Sequence, residues 1–187
     1  MKVSIGVSNR HVHLREEDLY KLFGNDFKLE KQKDLNQPGQ FASTSFVILK
    51  TDKDSIEKVR VLGPCRNYTQ VEISRTNAFR LGINPPIRNS GDLKGSSPIT
   101  IIGPKGIINL EEGCIIPTRH IHILPEQVKL YGLEGKDKVD VKLYGKKGGI
   151  ITNVYLMVSD TSYFEMHLDT DDANAHLIKN GDIGEIL

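Results

Sequence analysis

The amino-acid sequence predicts a mainly β protein with short α-helices, its strands folded as antiparallel hairpins into barrels or sandwiches. Three observations carry this reading. Short runs rich in Val, Ile and Leu recur along the 187 residues and are separated by Gly and Pro, the pattern of brief strands joined by tight turns. The helical patterns are few and short, so the strand and long crossover helix of a parallel α/β sheet do not alternate here. No Ser/Gly-rich or Pro-rich linker divides the chain.

In chain order, Val3–Val7 opens with strand alternation, and Arg10-His11-Val12-His13-Leu14 continues extended. Glu16–Phe23 then places Leu19, Leu22 and Phe23 on one helical face and stops at Gly24. Strands follow at Phe46–Leu49, Val59–Leu62 and Val71–Ile73, the last two separated by a turn at Gly63-Pro64. Ser74–Leu81 reads as a helix ended by Gly82, and Ile99–Ile102 and Ile107–Leu110 as a hairpin around Gly103-Pro104. After His122, Pro125 opens a helical turn carrying Val128 and Tyr131 up to Gly132. Val139–Leu143 and Ile150–Val158 flank Lys147-Gly148-Gly149, and Glu165–Leu168 forms the last expected strand. Thr170-Asp171-Asp172 starts a helix running through Leu177 and Ile178 to Asn180-Gly181. Four segments thus share one grammar: a strand ending in a potential ligand, one to three helical turns, then Gly.

Composition excludes several function classes. Lys and Arg number 25 against 24 Asp and Glu, so no net charge draws the chain to nucleic acid or an anionic membrane. Aromatic residues make up 6% and Trp is absent, which disfavours base stacking. No apolar run reaches the ~18–20 residues of a membrane span. The chain enters a strand at once, leaving no room for a signal peptide, and a soluble cytoplasmic protein is expected. Cys65 and Cys114 are far apart and in no CxxC pair, so both are expected to be buried structural thiols. Cys65 abuts Arg66, which would lower a thiol pKa and leaves a nucleophilic role as the alternative.

The chemistry concentrates on a repeat. Arg10-His11-Val12-His13-Leu14 and Arg119-His120-Ile121-His122-Ile123 share one pattern and use four of the six His. Side chains at i and i+2 of a strand leave the same face, so each His-x-His aims two imidazoles at one point, as a zinc site needs. His167 and Glu72 are further candidates, although a hydrogen-bonded barrel His and a solvated strand Glu are the ordinary readings of each. Six such ligands exceed one tetrahedral site and suit two metals with open positions, which implies catalysis rather than a closed structural zinc. Cobalt, manganese or iron could also occupy such sites. Arg66, in the turn before Glu72, can hold an oxyanion beside a metal. Arg10 and Arg119 should face away from the adjacent imidazole and either form ion pairs or support the ligands from behind. Asp169, Asp171 and Asp172 either cap the following helix or orient imidazole N–H groups.

From these residues, a two-metal phosphoesterase and an acyl or phosphoryl transferase both remain open. So does a cupin-like mononuclear site, because His11-x-His13-x3-Glu17-x6-Gly24 has cupin spacing, though Glu17 falls in a helical stretch. A non-enzymatic zinc module is disfavoured by the scarcity of Cys.

The segments SNRHVHL, KDLNQPGQFA (33–42), VRVLGPCRNYTQVEIS (59–74), NSGDLKGS (89–96), TRHIHILPE (118–126) and FEMHLDTDDANA (164–175) closely resemble the PduL-type phosphate propanoyltransferases, a phosphotransacylase family. The similarity runs in register over almost the whole chain. It implies two antiparallel β-barrels capped by short helices, with two zinc ions between them. The domains would be 9–118 and 119–187, the second completed by the N-terminal strand 1–8. It implies reversible transfer of a short acyl group, acetyl or propanoyl, between coenzyme A and inorganic phosphate. By residue match, His11, His13 and Glu72 would hold one zinc and His120, His122 and His167 the other. Arg66 would bind phosphate and serve catalysis. Coenzyme A would meet Ser8, Lys33, Arg60, Leu62, Phe79, His167 and Asn174, with Phe79 against the adenine. Relatives in bacterial microcompartments often carry an amphipathic N-terminal extension; its lack here favours a free cytoplasmic enzyme. The partners expected are small molecules, acyl-CoA and phosphate, and a homodimer would be unsurprising.

Overall fold

The computed structural model describes residues 1–187, which divide into two compact units. One is Arg10–Pro117; the other joins Met1–Asn9 to Thr118–Leu187. Strand β1 (Lys2–Ser8) starts the chain but belongs to the second of these.

The unit 10–117 contains β2 (His11–His13), α1 (Glu16–Phe23), β3 (Lys31–Asp34), β4 (Phe41–Lys50), β5 (Ser55–Gly63) and β6 (Gln70–Glu72), then α2 (Arg75–Leu81), β7 (Ile87–Arg88), β8 (Ser97–Ile102) and β9 (Ile107–Pro117). Six strands close in the order β4-β5-β2-β6-β9-β8, because β8 pairs with both β9 and β4. The other unit adds β10 (His120–Ile123), α3 (Pro125–Leu130), β11 (Lys138–Leu143), β12 (Gly149–Val158), β13 (Glu165–Asp169), α4 (Thr170–His176) and β14 (Ile183–Ile186). Its barrel is β1-β13-β10-β12-β11-β14, closed by β14 against β1.

The two barrels share one topology. In each, the His-x-His strand lies between a parallel neighbour (β5 or β12) and an antiparallel one (β6 or β13). The next strand round, β9 or β1, runs parallel to that antiparallel neighbour. The expected barrels are therefore present, but they are mixed rather than purely antiparallel. Hydrophobic alternation fixes which face a residue takes and carries no information on strand direction. Direction is set here by returns such as α1-β3-β4, which bring β5 alongside β2 in the same sense.

Each barrel has its own core. Val12, Leu14, Leu22, Leu49, Val61, Val71, Ile101 and Cys114 are fully buried in one, and Ile5, Ile121, Ile123, Val141, Val154 and Met166 in the other. Helices α1 to α3 take the expected places, with Ser74 capping α2 through its hydroxyl and Gly82 ending it in the left-handed region. Helix α4 stops earlier than its sequence suggests. Leu177 turns left-handed with φ 56°, and the Ile178 N–H reaches back to the Ala173 carbonyl at 2.8 Å. That closure buries Ile178 and leaves Leu177 exposed. Strand β3 escaped sequence detection because its residues Lys-Gln-Lys-Asp are all exposed; pairing with β4 alone makes it a strand.

Helix α1 is pinned by a buried carboxylate. Asp18 is 2% exposed and accepts from Arg15 Nε at 2.8 Å and Thr69 Oγ1 at 2.7 Å. Burial alone would raise its pKa, but the hydrogen bonds from Arg15 and Thr69 and the charges of Arg15 and Lys21 outweigh it, and the carboxyl lies below its ordinary value. At the other end of the helix the Leu22 carbonyl accepts the Lys105 N–H at 2.9 Å, and a Cβ on Gly103 would lie 2.4 Å from that same oxygen. No helix of the chain is long and apolar enough to cross a membrane.

Asp18→Asn should destabilise the chain by about 1–3 kcal/mol at neutral pH, since it exchanges a charge-assisted hydrogen bond for a weaker one. A depressed native pKa contributes stability that is complete above the unfolded value near ~3.9 and is lost as pH falls through the native value. Denaturant titrations from pH 7 down to the acid range should therefore show the variant and the parent converging. A constant gap at every pH would mean the carboxylate charge is not what pins α1.

Candidate metal centres

Strand β2 is the middle of three in its barrel. Val12 pairs across to Val61 and Val71, and all three face the core. The two-residue period therefore sends His11 and His13 to the opposite face, in transverse rows with Arg60 and Glu72, and with Leu62 and Gln70. His11, His13, Glu72 and Gln70 are 9%, 3%, 8% and 0% exposed. His11 Nε2 lies 3.4 Å from Glu72 Oε2, and His13 Nε2 4.0 Å from Glu72 Oε1. Donor atoms of these three residues all lie within 4.8 Å of one another. Burial holds the His13 pKa well below its usual value, helped by His11 and Arg66 and opposed by Glu72. Its buried Nδ1 makes no hydrogen bond.

Strand β10 repeats the arrangement. Ile121 faces the core between Leu156 and Met166, so His120 and His122 leave the other face, where His167 and Glu165 stand opposite them on β13. The Nδ1–H of His120 donates to the Thr118 carbonyl at 2.8 Å. That leaves its Nε2 as a lone-pair donor, 3.2 Å from His122 Nε2. The His122 and His167 rings meet edge-on with centroids 4.8 Å apart, and donor atoms of the three again lie within 4.8 Å.

Tetrahedral zinc with bonds near 2.1 Å sets its ligand atoms about 3.4 Å apart. The 3.4 Å and 3.2 Å separations match that edge. Both groups fit a divalent metal: one offers two imidazoles and a carboxylate, the other three imidazoles.

Around the first group lies a network. Arg66 is half-buried and donates from Nη1 to Ser90 Oγ at 2.9 Å and to the Tyr68 hydroxyl at 3.2 Å. Gln70 Nε2 donates to Ser90 Oγ at 2.8 Å and to Glu72 Oε1 at 2.6 Å, while its Oε1 accepts the Gly91 N–H at 2.7 Å. Neither Gln70 nor Ser90 was singled out by sequence reasoning. The signal for Gln70 was present, because it sits two residues before Glu72 on the same strand face. The same holds for Glu165, two before His167.

The candidate coenzyme A residues distribute as follows. Arg60 and Leu62 flank His11 and His13, and the row extends from Leu62 through Ala42 to Lys33, which is exposed on β3. The Arg60 guanidinium lies 4.5 Å over the Phe46 ring and donates to the Ser43 carbonyl. Phe79 on α2 is 77% exposed, with Lys53 Nζ 5.1 Å from its ring centroid. In the other unit Ser8 pairs with Asp169 beside His167, and Asn174 is exposed on α4.

Other expectations resolve plainly. Arg119 pairs with Asp172 through two 2.7 Å hydrogen bonds, and Asp169 caps α4 by accepting the Asp171 and Asp172 N–H groups. Glu17 lies on α1, largely exposed and 3.7 Å from Arg15, so the cupin spacing has no counterpart in three dimensions. Both thiols are free; burial raises the pKa of each, that of Cys114 to about 12. Cys65 is partly rather than fully buried, and that burial, reinforced by the charge of Glu16, raises its pKa in spite of Arg66 being next in sequence.

The family model for phosphate propanoyltransferase matches residues 4–179. A phosphate propanoyltransferase of Thermotoga maritima is 50% identical over 186 residues, 99% of this chain and 89% of that protein. Proteins of the same name from Rhodopseudomonas palustris and Rhodobacter capsulatus are 46% and 47% identical, over 99% and 95% of this chain and 82% and 83% of their own lengths. With this coverage by the family model and these relatives, the chain belongs to the phosphate propanoyltransferase family.

Proposed function

We propose that this chain is a zinc-dependent phosphotransacylase that moves a short acyl group, propanoyl or acetyl, reversibly between coenzyme A and inorganic phosphate. The observation that carries the reading is the Arg66 guanidinium, joined through Ser90 and Gln70 to the candidate ligand Glu72. A cation held rigidly beside an open group of metal donors suits an oxyanion substrate. His11, His13 and Glu72 would hold one zinc, and His120, His122 and His167 the other. When bound, zinc supplies Lewis acidity toward carbonyl and phosphate oxygens.

The chain's own residues do the rest. Arg66 binds phosphate, orients it and replaces part of its hydration shell, so that one oxygen points at the thioester carbonyl carbon. A C–O bond forms as the C–S bond breaks, giving the acyl phosphate and the coenzyme A thiolate, which takes up a proton. No acyl-enzyme is needed, and the raised pKa of Cys65 disfavours a thiolate nucleophile there. Lys33, Arg60, Leu62 and Phe79, together with Ser8, Asn174 and His167, are proposed to contact coenzyme A. Acetyl and propanoyl differ by one methylene, worth about 1–3 kcal/mol of discrimination.

Coenzyme A release from acetyl-CoA and propanoyl-CoA should require phosphate, vanish on chelation and return with zinc. Release without phosphate would indicate a thioesterase, and no release from metal-loaded protein would overturn the assignment. Arg66→Ala should lower kcat/KM for phosphate by about 10²-fold while metal content stays constant by atomic absorption; unchanged kinetics would remove Arg66 from the site. Cys65→Ser should turn over like the parent, and an inactive Cys65→Ser with both metals bound would restore the covalent route.

A further inference from the structure

We propose that Gln70 and Glu165 are equivalent positioning residues, each orienting the third donor of its centre through the hydrogen bond that donor's chemistry requires. The inference rests on the metal-centre reading above and goes beyond it in assigning two residues outside both donor groups.

The equivalence follows from register. His11 stands opposite Glu72 and His13 opposite Gln70; His120 stands opposite His167 and His122 opposite Glu165. Gln70 and Glu165 therefore hold the same place in two barrels of one topology, two residues before the third donor and on its face. Their chemistries are opposite, and so are those of the donors beside them. Glu72 is a carboxylate, and Gln70 gives it an N–H at 2.6 Å. His167 is an imidazole, and Glu165 Oε2 lies 2.9 Å from its Nε2.

Neither orientation is free to reverse. Gln70 is fully buried, and the Gly91 N–H, which can only donate, holds its carbonyl oxygen at 2.7 Å and so turns the amide nitrogen toward Glu72. Glu165 is 5% exposed. An Nε2–H donated to it leaves the Nδ1 lone pair of His167 for the ion and fixes the plane of the ring.

An independent feature concerns Gly6, which pairs with His167 on the far side of β13. A Cβ at Gly6 would lie 3.1 Å from Glu165 Cδ and Oε2 and from His167 Cδ2. Gly6 has no positive φ, so backbone freedom does not account for glycine there. A methyl group there would press on the Glu165–His167 pair, which would have to give by a few tenths of an ångström.

Cobalt(II) titration of the full chain, read by visible absorption, tests the proposal in two backgrounds. His120→Ala with His122→Ala leaves the first centre, and His11→Ala with His13→Ala leaves the second. Gln70→Leu should weaken cobalt at the first centre about 10–100-fold and leave the second unchanged. Glu165→Leu should do the reverse, and Gly6→Ala should weaken only the second. Glu165→Gln, which keeps an acceptor oxygen, should recover most of the affinity and the parent's absorption bands. In metal-free protein, 15N-detected imidazole correlations should show His167 protonated at Nε2, and the Glu165→Leu variant should lose that preference. Equal cobalt affinity in parent and Leu variants, or equal losses at both centres, would overturn the positioning roles. A parent chain that binds no cobalt at either centre would instead overturn the metal-centre reading on which they rest.

Discussion

Every candidate donor owes its place to the two-residue period of a central strand. Because β2 and β10 are hydrogen-bonded on both sides, Val12 and Ile121 are driven into their cores, and the imidazoles on either side of them have no other direction to take. A slip of one residue in register would exchange the faces and put four imidazoles into apolar cores. The burial of two β-branched side chains thus holds the chemistry in place, and their cost of misplacement is paid in the same coin as folding itself.

The shared topology extends this logic to the third donor. In both barrels it comes from the antiparallel neighbour, at the position directly opposite the first His of the pair. One barrel presents a carboxylate there and the other an imidazole, whose buried neighbour Glu165 brings a carboxylate at one remove. A divalent ion at the first group would meet its carboxylate directly, whereas at the second the carboxylate would act through the His167 imidazole.

Much of the fold was legible in the sequence because most strands alternate over an apolar core. Helix α1 was legible to the residue, from Leu19, Leu22, Phe23 and the stop at Gly24. What was not legible depends on pairing rather than on pattern. Strand β3 is polar and exposed, β14 is short and contains Gly184, and the parallel pairs arise from returns whose direction no local signal records. From the residues alone the His-x-His repeats were visible only as pairs; the family resemblance grouped them with Glu72 and His167, and the register of β6 and β13 sets those donors opposite them. Gln70 and Glu165 stand two residues before a candidate donor on the same strand face, a spacing that gains meaning only once that donor is identified, and Ser90 lies in a turn after β7 with no such spacing.

The place of β1 has a consequence for how the molecule is made. This strand precedes the segment Arg10–Pro117 in the chain, yet both of its neighbours, β13 and β14, follow it. The middle of the chain, from Arg10 to Pro117, has every strand of its own barrel in hand and is free to fold while still attached to the ribosome. Strand β1 gains both of its hydrogen-bonded neighbours only once β13 and β14 have been made. The barrel of Arg10–Pro117 can thus close on strands contiguous in sequence, whereas the other closes only when strands lying on either side of that segment have met.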